Sequence, residues 1–158
     1  MATVYSTGYN SIYQAVPSGV VRANEIGGRV RVAYATYEAS ALPANDVINM
    51  FRLPQGARIL SGELAHDALG SGTTLSVGHS AYTDAAGTAV SAAAAYFKAA
   101  AASTSAQAVD VAATMALGKF DMVDIDGDVK DNAYDVTITL AGGAATGTIS
   151  LAMLYVVD

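Results

Sequence analysis

Residues 51–90, FRLPQGARILSGELAHDALGSGTTLSVGHSAYTDAAGTAV, hold two apolar strands around a Gly/Ser/Thr loop and no recognisable catalytic constellation. Ile59, Ser61, Glu63 and Ala65 alternate with Leu60, Gly62, Leu64 and His66, the period of two that a half-buried strand requires. After the loop Leu69 to Thr74, the residues Leu75, Val77 and His79 alternate with Ser76, Gly78 and Ser80 in the same way. Pro54-Gln-Gly56 before the pair and Asp84 to Gly87 after it carry turn chemistry.

The same grammar extends outward. Arg29 to Glu38, RVRVAYATYE, places Val30, Val32, Tyr34 and Thr36 on one side of a strand and Arg29, Arg31, Ala33, Ala35 and Tyr37 on the other. A turn at Ser40 to Asp46 precedes a strand over Val47 to Leu53. Downstream, eight alanines between Ala92 and Ala102 surround Tyr96, Phe97 and Lys98. Alanine is the best helix former, so this segment predicts one short helical insert, too small to stand alone and docked through Tyr96 and Phe97. Strands resume over Val109 to Ala116, Lys119 to Ile125, Tyr134 to Leu140 and Thr148 to Val157. The last, TISLAMLYVV, is nearly continuous apolar and predicts a central strand covered on both faces.

About eight strands with closely spaced turns indicate an all-β antiparallel sandwich or jelly roll. A parallel sheet would need a helix after every strand. Residues 29–158 form the single β-sandwich domain of this reading, and residues 1–28 an N-terminal arm. Within the arm Tyr5, Tyr9 and Tyr13 recur every four residues. They mark one face of a short helix, three anchors on an extended segment, or side chains packed on their own domain.

A chain of 158 residues is about one domain and buries roughly 68–70% of its unfolded surface without a staple. Its 53% apolar and 14% charged residues place it among ordered globular chains. Much of the apolar share is Ala and Val, and a mean hydropathy of +0.35 implies apolar surface covered by partners. A net charge of -6 and a pI near 4.6 exclude a large nucleic-acid face, which rests on clustered Lys and Arg. Arg22, Arg29 and Arg31 are the nearest approach to a cluster, and on a strand Arg29 and Arg31 share a solvated or ion-paired face. With no cysteine, disulfide spacing says nothing of compartment. MATVYSTGYNS lacks the basic and apolar regions of a signal peptide, and the longest apolar run, Ala92 to Ala102, is interrupted by Lys98, so no membrane span is expected.

Three features come nearest to chemistry. Gly78-His-Ser80-Ala-Tyr82 lacks the closing glycine of a nucleophile elbow and leads into a turn, and His66 and His79 are the only histidines, so no catalytic residue is assigned. Each histidine reads as a strand-end or turn residue, with a pH-sensitive contact as the lesser reading. Asp124, Asp126 and Asp128 around Gly127 are weak calcium candidates: alternate carboxylates supply oxygen ligands. The EF-hand register fails, because Met122 and Ala133 fall where carboxylates are needed, and the stretch reads as a solvated hairpin loop. Gly142 to Thr148 has the glycine spacing of a phosphate loop without its Lys and is followed by a strand, hence a hairpin turn. No metal and no cofactor is assigned.

Arg52 to Ile59 and Gly62 to Gly78 also carry a resemblance. They match the strand opening R(h)LPxGARI and the following GxLxHDxLGxxTTLxVG of small virion structural proteins of tailed bacteriophages. The likeness runs more loosely over Arg29 to Tyr37, Ala92 to Ala102 and the C-terminal strands, the greater part of the chain. It implies a capsid cement or decoration subunit, non-enzymatic, a β-sandwich acting as a homotrimer on the major capsid protein. The implied location is the exterior of the virion, away from nucleic acid as the acidity suggests, after synthesis in the host cytoplasm; no membrane partner is implied. Tyr5, Tyr9 and Tyr13 of the arm, with Tyr96 and Phe97, are the interface candidates. The alternatives are a tail, neck or baseplate component, and a carbohydrate-binding module using exposed tyrosines, which the absence of Trp weakens.

Overall fold

The computed structural model describes residues 4, 6, 9–14, 20, 26–125 and 133–157. Its strands are β1 (Val30–Leu42), β2 (Val47–Pro54), β3 (Arg58–His66), β4 (Thr74–His79), β5 (Tyr82–Thr83), β6 (Ala89–Val90), β7 (Ala93–Ala102), β8 (Gln107–Val111), β9 (Ala133–Ala141) and β10 (Ala145–Val156). Two four-stranded sheets, ordered β1-β10-β3-β8 and β2-β9-β4-β7, face each other, and β5-β6 is a small separate hairpin. The chain changes sheet at every connection between these eight strands except β4 to β7. All pairings are antiparallel. This is the jelly roll that the alternation and turn spacing predict.

The core lies between the sheets. Ile59, Leu64, Val111, Ile149, Leu151 and Met153 come from one side; Leu53, Leu75, Val77, Phe97, Val136, Ile138 and Leu140 come from the other. Alternation sets which side chains enter, with one revision. Ile59 shares its parity with Glu63 in the sequence, yet Ile59 is buried and Glu63 exposed. The register shifts between Leu154 and Tyr155, where β3 steps from Ser61 to Ile59 while β10 advances one residue, so a bulge at Leu60 turns Ile59 inward.

The helical insert expected over Ala92 to Ala102 is instead strand β7, paired to β4 at the margin of its sheet. Helix propensity is a weak prior, and here the free edge of β4 supplies a ladder that an isolated Ala-rich helix could not match. The pairing is heavily bulged: β7 runs from Lys98 to Ala93 while β4 runs only from Val77 to His79. The extra residues bring the backbone of β7 over Gly78, where a Cβ would lie 1.8 Å from the Ala93 carbonyl oxygen. Only glycine permits that approach.

Two further expectations change. Lys119 to Ile125 is not a strand: a 3-10 turn (Met115–Leu117) and positive φ at Gly118 (75°) and Phe120 (68°) break the extended run. Only Met122 bridges to Arg58. β10 is central, but its outer side is partly open and Leu154 is exposed, because an antiparallel sandwich covers one face of each sheet.

Candidate functional site

The histidines occupy structural positions. The His79 ring is enclosed by Tyr82, Tyr96 and Tyr134 at centroid distances of 5.3, 5.0 and 5.2 Å. Its Nδ1 lies 2.8 Å from the Ser80 carbonyl oxygen, while the Ser80 hydroxyl accepts from the Asp135 N–H, so the serine is not aimed at the imidazole. His66 Nδ1 lies 2.8 Å from the Asp67 carbonyl oxygen, and Gln107 Nε2 lies 3.3 Å from His66 Nε2. Asp67 accepts from the Thr148 N–H at 2.9 Å, which holds its carboxyl below the usual carboxylate range.

Among the described residues no three His, Asp or Glu side chains gather as metal ligands. Asp124 is exposed, and Asp126 and Asp128 lie outside the described residues. Gly142, at φ 88°, forms the β9–β10 hairpin turn, and a Cβ there would meet the Gly72 carbonyl oxygen at 2.0 Å. Close packing on the Leu69–Thr74 loop explains that glycine run.

Surfaces are more informative than cavities. Val30, Val156 and Arg58 are in register, so the start of β1, the end of β10 and the start of β3 share one end of the sandwich. The arm joins there. Its residues Asn10–Gln14 form one π-helical turn with no buried side chain. Tyr9 and Tyr13 are exposed and lie on each other, ring centroids 4.9 Å apart; Tyr5 lies outside the described residues.

Met115 and Phe120 are exposed at the same end, beside the Phe120 N–H bond to the Ile59 carbonyl. Tyr96 donates its O–H to the Asp121 carboxylate, and burial together with that bond pushes its phenol up to about 12. Phe97 has no exposed surface: it serves the core and fixes Tyr96 edge-on at 5.0 Å.

The two sheets differ outside. On β2-β9-β4-β7, Ser76, Gly78 and Thr137 point outward yet are buried under the bulge of β7. On β1-β10-β3-β8 the residues Val30, Val32, Tyr34 and Leu154 are 60, 61, 66 and 40% exposed, a contiguous apolar stripe because Val30 faces Val156, Val32 faces Leu154 and Tyr34 faces Ala152. Sequence reading passed over this stripe. Its signal was present in Val30, Val32 and Tyr34 sharing one parity, but the alternation does not say that the small residues Ala33, Ala35 and Ala39 take the inner side.

No protein-family model matches the chain, and no curated protein sequence matches it. Solved structures do. A chain in the capsid of Ralstonia phage GP4 is 25% identical with a TM-score of 0.60, over 83% of this chain and 86% of that one. A chain of the cyanophage Pam1 capsid asymmetric unit is 21% identical with a TM-score of 0.63 over the whole of both, a likeness of fold alone. The chain is therefore similar to structural proteins of phage virions, and these matches support a structural role in the virion.

Proposed function

We propose that this chain is a phage virion structural protein of the cement or decoration kind, in which residues 29–158 form the domain and residues 1–28 an arm that fastens it to the outside of the assembled shell. The observation that carries the reading is an arm whose Tyr9 and Tyr13 are exposed, joined to a jelly roll like those of two phage capsid chains. Exposed paired tyrosines offer rigid, amphipathic area at small entropic cost. The arm leads into the end of the sandwich where Met115, Phe120 and Tyr96 are exposed, and Tyr5, Tyr9, Tyr13 and Tyr96 are the proposed contacts with the major capsid protein.

The mechanism is linkage. A subunit that binds only the assembled lattice stabilises it as free concentration rises above Kd, and many sites act together. Association of copies, as in a homotrimer, makes each attachment multivalent, so individually modest contacts suffice. The test is copy number and retention on purified particles. Cement predicts copies comparable with the major capsid protein, and a chain lacking residues 1–27 that folds but no longer stays on particles under heat. A few copies per particle overturns the reading in favour of a tail, neck or baseplate part; full retention without the arm removes the arm's role.

A further inference from the structure

The loop that follows β8 presents apolar side chains to solvent against its own backbone preference. Phe120 holds φ 68°, the left-handed region that a bulky side chain rarely enters, and its ring is 49% exposed. Neither burial nor backbone preference accounts for a phenylalanine there, and strain of this kind persists where the surrounding structure over-determines it. Three hydrogen bonds do so. The Phe120 N–H donates to the Ile59 carbonyl at 2.8 Å, Arg58 Nη1 donates to the Phe120 carbonyl at 2.9 Å, and the Ile59 N–H donates to the Asp121 carbonyl at 3.0 Å. The Lys119 N–H closes the loop on the Thr114 carbonyl at 3.0 Å, and Gly118 packs so closely that a Cβ would lie 2.9 Å from the rings of Tyr96 and Phe97. Met115, 77% exposed, belongs to the same loop. The two side chains form a fixed apolar knob, with Lys119 Nζ over the Phe120 ring at 5.6 Å.

The back of the other sheet holds a hollow that suits such a knob. Val47 and Asn49 on β2 face Thr139 and Thr137 on β9, and all four have the outward parity opposite to that of the buried Ile48 and Ile138. With Ala92 and Ala94 beside the bulge of β7 they line a groove of about 270 Å³. No Asp, Glu, Lys or Arg lines it, whereas the grooves beside Leu154 and beside Ser150 are bordered by Glu63 and Asp110 and by Asp67. An aromatic ring enters the methyl-lined hollow without stripping water from a carboxylate, a cost it meets in the other two. The knob is tied to Arg58 and Ile59 on β3, in the opposite sheet, so no copy fills its own groove.

We propose that Met115 and Phe120 of one copy seat in the groove formed by Val47, Asn49, Thr137 and Thr139 of a second copy. The contact removes from water the knob and the exposed Val47, apolar surface that each copy alone leaves there. A knob already held in one conformation loses little freedom on docking. Because knob and hollow are different surfaces of one chain, the contact is head-to-tail: each copy gives one half and receives the other, and a rotation that closes yields a ring. The assignment concerns self-association in solution and is separate from attachment to a shell.

The experiment measures the mass of the purified full-length chain by sedimentation over a range of concentrations. Wild type associates. Phe120→Asn with Met115→Ser weakens association by roughly tenfold or more. Urea unfolding shows this variant, when dissociated, to be at least as stable as wild type, because asparagine accepts a positive φ more readily than phenylalanine. Val47→Glu with Asn49→Lys, which puts charge into the hollow, weakens association to a similar degree, and circular dichroism confirms that it is folded. Neither variant associates alone, yet a mixture of the two forms a two-chain species, since the first keeps its hollow and the second its knob. A wild type monomeric at every concentration overturns the proposal, as does a mixture that stays monomeric. A knob variant that self-associates like wild type overturns it too, and if that variant is also lost from particles the loop belongs to the shell contact instead.

Discussion

On the outer face of β2-β9-β4-β7 the backbone of Ala93 and Ala94 crosses over Gly78 and leaves Ser76 and Thr137 buried, whereas on the outer face of β1-β10-β3-β8 Val30, Val32, Tyr34 and Leu154 meet solvent. One chain thus finishes the backs of its two sheets in different ways. Covering the first uses extra residues in β7 and demands glycine on β4. The second carries larger apolar side chains and has no such cover among the described residues. A face closed by its own chain serves that chain's stability, whereas the other leaves its apolar side chains exposed.

The sharpest way to break this comparison is a matched pair of aromatic truncations. Phe97→Ala, on the covering strand with its ring in the core, should cost about 4 kcal/mol through lost burial and the cavity left behind. Tyr34→Ala, on the open face, should change the stability of the dissociated chain by no more than about 0.5 kcal/mol. Urea unfolding at low protein concentration measures both, and equal costs would erase the distinction. Next in size, Gly78→Ala forces a Cβ against the Ala93 carbonyl and should cost about 3 kcal/mol by the same measurement. A neutral result would mean that β7 can lift off the sheet without loss.

The smallest effect lies at high pH. The phenol of Tyr96 is raised to about 12 by burial and by its bond to Asp121, and burial raises that of Tyr134 as well. A group whose folded pKa lies above its unfolded one contributes stability that is whole below the unfolded value, about 10 for tyrosine, and fades as pH climbs through the folded value. Unfolding titrations should therefore show stability falling between about pH 10 and 12. Tyr96→Phe should flatten that fall in part, leaving the share of Tyr134; an unchanged slope would mean that the Asp121 bond does not hold the phenol neutral.

Much of the architecture was legible in local pattern. Val47 to Leu53, Ala57 to His66, the start of β4 and Tyr134 to Leu140 alternate or run apolar between turn residues, and each became a strand with nearly those limits. The interface candidates were less legible. Repetition drew attention to Tyr9 and Tyr13, which are exposed, but the adjacent aromatic pair Tyr96-Phe97 divides between surface and core because a strand sends successive side chains to opposite faces.

The sequence by itself determined that the chain is built of antiparallel strands, since periodicity and turn chemistry act over a few residues and need no distant partner. Three things were left to the tertiary structure: that the alanine run is the strand β7, that the bulge at Leu60 carries Ile59 inside, and that Ala33 and not Val32 faces the core of β1. Each depends on which strand lies alongside, and hydrogen-bond ladders and packed layers form between residues that local pattern cannot pair.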